Sequence, residues 1–143
     1  RHIILITLLT FICACTQNKS QKDVIISNEN SADITKVFFK NLNDGDTVTS
    51  PFEVEMGVRT MKIKPAGVLE PGTGHHHIII DKGSMPYGEI IPMDPTHLHY
   101  GKGDTVATLL LSSGDHSLTL QFANGLHMSY GEQFSKTINI HVK

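Results

Sequence analysis

Histidine is the residue with the clearest chemical potential in this chain of 143 residues. Eight of its nine histidines follow position 70, and they include a triple run at 75–77 and a His-x-His pair at 97–99. In a β-strand, residues two positions apart point to the same side. Two imidazoles on one face can converge on a transition-metal ion. The spacing therefore predicts metal binding through imidazole.

Strand alternation predicts which histidines face each other. If the isoleucines that follow the triple run point into a core, the first and third histidines of that run share the opposite face. The two histidines of the second strand also share a face. Facing positions on neighbouring strands have Cβ atoms about 4.5–5.5 Å apart, so a four-histidine site forms if the two strands pair. The predicted ligands are His75, His77, His97 and His99.

Three further kinds of residue could complete such a site. His127 lies in a long connection from which its side chain can reach over the end of the sheet, so it is a fifth candidate ligand. Met61 and Met128 also lie in connections, and thioether combined with imidazole suits copper, especially Cu(I). Asp81 could ligate or could accept a hydrogen bond from a ligating ring. Copper is the predicted metal and zinc is the alternative.

The same residues allow an interpretation without any metal or other cofactor. Neutral histidines can cap strand ends by hydrogen bonding to the backbone or to Asp81. The protein would then be a binding or scaffold module of the cell envelope, because its three long connections at 59–73, 82–95 and 124–135 are of the kind that carries function. Aromatic anchors for a peptide, glycan or envelope partner would be Tyr87, Tyr100 and Tyr130.

A third interpretation is a cupin-like metalloenzyme. His75, His77 and Asp81, with Gly88 further on, are similar to the first half of the cupin metal motif, in which two histidines and a carboxylate hold iron or manganese. The second half fits poorly, because the segment 113–116 lacks the expected proline and spacing. No Gly-x-Ser-x-Gly nucleophile elbow or phosphate loop is present. The prediction is a binding protein, not an enzyme.

The elements that must position these residues are almost entirely β-strands. Residues 52–58 alternate cleanly between apolar and polar side chains, and no helix of convincing length is indicated. About seven short strands punctuated by turns favour an antiparallel immunoglobulin-like β-sandwich, with a small barrel as the rival. The predicted strands are 37–39, 52–58, 75–81, 97–100, 105–111, 116–122 and 137–142.

The amino-terminal segment predicts export and lipidation. Residues 3–12 form an apolar run that is too short to remain as a membrane-spanning helix but has the length of a signal-peptide core. The sequence Ile-Cys-Ala-Cys that ends at Cys15 resembles a bacterial lipobox, which makes Cys15 the predicted lipidated residue. The predicted organisation is a lipoprotein signal peptide at 1–14, a flexible polar tether at 15–34 and a β-sandwich domain at 35–143.

Lipidation at Cys15 would place the domain in the bacterial cell envelope, on the periplasmic side, with the lipid anchor as its contact with a membrane. Thr16, which follows Cys15, favours the outer membrane. Cys13 would leave with the signal peptide, so the mature domain would have no thiol for a disulfide or a thiolate metal site. We therefore expect a monomeric domain that folds by core packing.

Composition excludes other classes of protein. The chain has 12 basic and 14 acidic residues, a formal net charge of −2, no run of Lys or Arg and no Trp. It lacks the positive surface that grips phosphate backbones, so nucleic acid is not a predicted partner. At this length two large domains are also excluded. The protein partner expected for a metal-binding domain is a metal donor or another envelope protein.

Two motifs give the chain a family resemblance. The triple histidine followed by three isoleucines and Asp81, and the His-x-His-aromatic-Gly-x-Gly segment at 97–103, resemble a bacterial envelope family catalogued as domain of unknown function 4399. The resemblance extends over about 37–143. It implies an envelope location but no particular reaction. Members often carry a more histidine-rich segment where this chain has only His127.

Overall fold

The structure, a computed structural model, describes residues 36–143. The predicted signal peptide, the lipidation site at Cys15 and the tether lie outside the described residues. Within 36–143, no helix is long and apolar enough to cross a membrane.

Residues 36–143 form nine strands, and their only helical segment is a single 3-10 turn at Glu132–Phe134. The predicted all-β sandwich of two sheets is confirmed. The strands in chain order are β1 Val37–Phe39, β2 Asp46–Val48, β3 Phe52–Val58, β4 Lys62–Ile63, β5 Thr73–Ile80, β6 His97–Tyr100, β7 Val106–Leu109, β8 Gly114–Ala123 and β9 Ser135–Val142.

The two layers are unequal. The smaller sheet has the order β1-β3-β7, and the larger runs β2-β9-β8-β5, with both β4 and β6 pairing along the remaining edge of β5. Strand β4 pairs with the start of β5 and β6 with its later residues. The pairs β2–β9 and β4–β5 are parallel, whereas the other pairs are antiparallel. The expected purely antiparallel pattern is thus broken by two very short strands.

Strands β2 and β4 were not predicted from the sequence. They contain three and two residues, and each runs beside the end of a longer strand. Pairings this short are made by backbone groups alone, so they leave no alternation of side chains in the sequence. The longer strands, whose one face is buried, were found because burial imposes a period of two.

A hydrophobic core lies between the two sheets. Val54 and Met56 of β3 are fully buried, as the alternation of this strand predicts, and they pack with apolar residues of the opposite sheet such as Ile78, Leu118 and Leu120. Burial of each such side chain contributes about 1.5–3 kcal/mol. The core fixes which face of β5 points inward.

Strand β5 is the most enclosed element of the described chain, because all eight of its residues are buried. Its even-numbered residues face the core, where the ring of His76 packs edge-on against that of Phe122 at 5.0 Å. Its other face would be open to solvent in a plain two-layer sandwich. Here that face is covered by two of the long connections.

The two covering connections are joined to each other and to the sheet. The Ile91 amide donates to the His127 carbonyl at 2.9 Å, and the Ser129 amide donates to the Glu89 carbonyl at 2.8 Å. From the sheet, the buried Gln121 side chain accepts a hydrogen bond from the Met85 amide at 3.1 Å. This network forms a third, irregular layer over the outer face of β5 and β8.

The three tyrosines predicted as partner anchors differ in exposure. Tyr87 is 75% exposed, but Tyr100 packs against the core cluster. The Tyr130 hydroxyl donates to the Thr73 carbonyl at 2.8 Å, and its ring stacks near Phe122. Tyr100 and Tyr130 are half-buried and their rings help to build the fold, so Tyr87 is the most exposed of the three predicted anchors.

Two leucines provide a direct test of where the core lies. Leu118 is completely buried and Leu110 is 80% exposed. We expect Leu118→Ala to lower the free energy of unfolding by about 2–5 kcal/mol, because it leaves a cavity. The matched change Leu110→Ala should cost less than about 0.5 kcal/mol. Urea denaturation measures both, and equal losses would contradict this assignment of the core.

Candidate metal centre

The pairing of β5 with β6 brings together the two strands that carry the predicted His-x-His pairs. Their antiparallel register sets His77 directly opposite His99, and Ile79 opposite His97. His75 precedes this paired segment and lies opposite Ala123 of β8. The condition that the sequence left open, that the two histidine strands are neighbours, is met.

Four imidazoles meet on the outer face of this pairing. The Nε2 atoms of His75 and His77 are 3.0 Å apart, and those of His99 and His127 are 3.1 Å apart. The six distances between the four ring centroids run from 4.6 to 6.0 Å. We call His75, His77, His99 and His127 the histidine cluster.

The spacing of the nitrogens suits a shared metal ion. One ligand atom from each of His75, His77 and His99 lies within 4.8 Å of the other two. Ligand nitrogens about 2.0–2.1 Å from a tetrahedral ion are about 3.3 Å from one another. The two Nε2 pairs are already within a few tenths of an ångström of that separation. Each pair therefore already has nearly the spacing of two ligands on one ion.

A strained turn delivers His127 to the cluster. His127 has a φ of 64°, in the left-handed region that His, Asn and Asp enter more readily than most residues. The Asn124 side-chain oxygen accepts hydrogen bonds from the Leu126 amide at 2.9 Å and the Met128 amide at 3.1 Å. Asn124 thereby holds the turn in which His127 points back over the sheet.

A glycine makes room for the ring of His99. A Cβ atom at residue 101 would collide with the His99 imidazole. Gly101 and Asn124 were not identified as functional residues from the sequence. The sequence does contain a Gly-x-Gly motif at 101–103 and an Asn-Gly turn at 124–125. Neither motif indicates which histidine side chain it helps to position.

Three rings of the histidine cluster, those of His75, His77 and His99, have lowered pKa values. Desolvation, followed by repulsion from neighbouring imidazoles, lowers the pKa of His75 to about 4 and that of His77 to about 2. Burial and His127 also lower the pKa of His99. Neutral imidazole is the form that binds metal, so these three rings are ready to ligate at neutral pH.

The inner pair of rings carries unsatisfied nitrogens. The Nδ1 atoms of His75 and His77 are buried and have no hydrogen-bond partner among the described residues. If one ring donates its Nε2–H to the other, the accepting ring must carry its proton on Nδ1. That buried N–H without an acceptor costs about 1–3 kcal/mol. Strand capping does not explain two neighbouring buried rings whose Nδ1 atoms both lack a partner among the described residues.

His97 lies on the same face of β6 but apart from the cluster. Its Nδ1 is 2.9 Å from the Asp94 carboxylate, which also accepts a hydrogen bond from the Thr96 hydroxyl at 2.7 Å. Its side chain lines a shallow cleft that also reaches His99. The structure therefore brings together three of the four principal predicted ligands and the fifth candidate, His127.

The other predicted site residues lie elsewhere in the fold. Asp81 is 2.8 Å from Nδ1 of His116 and accepts a hydrogen bond from the Ser117 amide at 2.9 Å. Met61 packs against the hydrophobic core. Met128 adjoins His127 in sequence and forms a backbone bridge with Ile90. None of these three residues contributes a ligand atom to the group formed by His75, His77 and His99.

Sequence comparison assigns the chain to a family. The family described as Domain of unknown function (DUF4399) matches residues 54–143, and the chain belongs to it. This span contains all four residues of the histidine cluster. No curated protein and no solved structure matches the chain significantly.

The buried histidines predict that the metal-free protein loses stability in acid. Burial lowers the pKa of His76, like that of His75, to about 4, whereas an unfolded histidine titrates near 6.5. Below about pH 6.5 the unfolded chain takes up protons that the folded chain excludes. Stability is thus complete above that pH and is lost as the pH falls toward 4.

His76→Leu tests this linkage, because it removes one titrating ring from the core. Between about pH 7.5 and about pH 5, in the presence of a chelator, the variant should lose roughly 1–2 kcal/mol less unfolding free energy than the wild type. Denaturant titrations at the two pH values measure the difference. The raised pKa of His116 opposes the trend equally in both proteins. Equal losses would show that His76 does not contribute.

Proposed function

We propose that this protein is an exported lipoprotein whose β-sandwich binds a transition metal, copper, for carriage or sequestration. The ligands are His75, His77, His99 and His127. The observation that carries the proposal is the convergence of four imidazoles whose centroids lie 4.6–6.0 Å apart. The pairing of β5 with β6 brings His99 beside His77, and the turn at His127 adds the fourth ring. Residues that are far apart in the sequence thus converge.

Copper is favoured by the chemistry of the donors. Imidazole suits zinc, copper, iron and nickel, and among divalent ions of the first row a given nitrogen site binds copper most tightly. Zinc is the alternative, because structural zinc sites are also four-coordinate and tetrahedral. The two methionines predicted as soft ligands are not needed for this assignment, since four imidazoles already supply a complete tetrahedral set.

Carriage or sequestration fits the site better than catalysis does. Catalytic metal sites keep a coordination position open, whereas four protein ligands fill a tetrahedral ion. The carboxylate of the cupin-like motif, Asp81, is engaged by His116 and Ser117 instead of by the cluster. His99 and His127 are reached by solvent while His75 and His77 are buried, so an ion can exchange through the outer pair.

The bacterial cell envelope is the proposed location, with a lipid anchor at Cys15 that tethers the domain on the periplasmic side, at the outer membrane. This part of the proposal depends on the apolar run and lipobox of the sequence. A metal-donor protein of the same compartment is the partner that such a carrier requires. Mass spectrometry of the protein recovered from membranes would detect a diacylglyceryl modification at Cys15.

The ligand assignment predicts the effect of two surface-side variants on copper affinity. The intact chain should bind one equivalent of copper in competition with a chelator. His99→Ala and His127→Asn should each weaken binding by more than about tenfold, because each removes one ligand. These rings are not part of the hydrophobic core, so both variants should remain folded.

His141→Ala is the matched control. His141 is solvent-exposed and pairs with Asp115 at 2.7 Å, outside the cluster, so its removal should leave copper affinity unchanged. Circular dichroism of every variant verifies folding. An absence of stoichiometric copper binding, or unchanged affinity in both ligand variants, would rule out the proposed site.

A further inference from the structure

The histidine cluster contains no carboxylate. The one grouping of potential metal ligands within residues 36–143 consists of imidazoles alone. Histidines outside the cluster are paired differently, since three of them each have a carboxylate oxygen within 2.9 Å of Nδ1. These pairs are His97 with Asp94, His116 with Asp81, and His141 with Asp115. Acidic residues are thus available in the fold but are not placed at the cluster.

Two acidic residues line clefts beside His99. Asp94 lines one cleft and Asp104 lines another. Asp94 is already hydrogen-bonded by Thr96 and His97. Because the grouping of ligand atoms includes no carboxylate, a metal ion in the cluster would meet imidazole nitrogens alone.

An uncharged donor set discriminates between ions by their charge. A divalent ion held by neutral imidazoles leaves two positive charges in a partly dehydrated site, and a monovalent ion leaves one. The cost of taking an ion out of water rises steeply with its charge unless it is paired with an opposite charge. The cluster therefore favours a monovalent metal ion over a divalent ion of similar size.

The unpartnered ring nitrogens of the cluster also disfavour a divalent ion. In tight zinc sites, ligating histidines donate their second ring N–H to a carboxylate, carbonyl or water, which makes them more basic ligands. The Nδ1 atoms of His75 and His77 have no such acceptor among the described residues. These rings are weaker donors to a divalent ion than carboxylate-supported imidazoles would be.

The geometry of the cluster separates the two oxidation states of copper. Cu(II) prefers square-planar or tetragonal sites. Four ring centroids at the corners of a square with sides of about 5 Å would be about 7 Å apart across its diagonals. Here five of the centroid distances lie between 4.6 and 5.1 Å, and the longest, from His77 to His127, is 6.0 Å. The rings are therefore disposed closer to a tetrahedron than to a square.

We infer that the histidine cluster selects Cu(I) over both Zn(II) and Cu(II), an inference that rests on the proposed metal-binding function. Uncharged donors disfavour Zn(II), and the near-tetrahedral arrangement disfavours Cu(II). Cu(I) is the first-row ion that satisfies both conditions. The substrate of the carrier is thus reduced copper.

Competition titrations of the intact chain with the three ions test the selectivity. We expect Cu(I), measured without oxygen against a Cu(I)-specific chelator, to bind at least tenfold more tightly than Zn(II) or Cu(II). Binding of Zn(II) or Cu(II) with equal or greater affinity, lost in His99→Ala, would overturn the Cu(I) inference and leave the metal site intact. An absence of binding by all three ions would overturn both proposals.

A pair of variants at residue 127 isolates the effect of ligand charge. Asn and Asp both tolerate the left-handed backbone of His127, so His127→Asn and His127→Asp should keep the turn. His127→Asp supplies a carboxylate to the cluster, and His127→Asn, of the same size, does not. We expect the ratio of Zn(II) to Cu(I) affinity to rise at least tenfold in His127→Asp relative to His127→Asn. An equal ratio in the two variants would show that charge does not govern selection.

Discussion

The register between β5 and β6 is the constraint on which the site depends. Because side chains alternate along a strand, the register that sets His77 opposite His99 puts both rings on the outer face. A slip of one residue would turn one strand's histidines toward the core. The register is itself fixed by burial, since Ile78 and Ile80 of β5 belong to the core cluster. Core packing and site assembly are thus consequences of the same alternation.

The histidine cluster is an unfavourable feature of the metal-free fold. Burial keeps two of its rings neutral, and each retains a nitrogen without a partner among residues 36–143. Such groups lower stability, and in folded proteins they are concentrated at functional sites. The strained backbone of His127 adds to the cost. An ion that ligates all four rings would stabilise this region, which the apolar core does not stabilise.

The sequence was sufficient for the features that periodicity controls. Alternation in β3 and in the histidine strands predicted the all-β class, the core face and the shared face of His75 and His77. It could not predict the neighbours of β5, because strand pairing is a long-range property that a single strand does not encode. The exchange of His97 for His127 has a local cause: Asp94 engages His97, and the Asn124 turn directs His127 inward. The lipoprotein segment stays a prediction.

The most direct test of the histidine cluster as a metal centre is X-ray absorption spectroscopy of the copper-loaded intact chain. The site described above predicts a first shell of three to four nitrogens at about 2.0 Å, with the outer-shell scattering of imidazole and the edge of four-coordinate Cu(I). A first shell that contains sulfur, or that consists of oxygen without imidazole scattering, would contradict it.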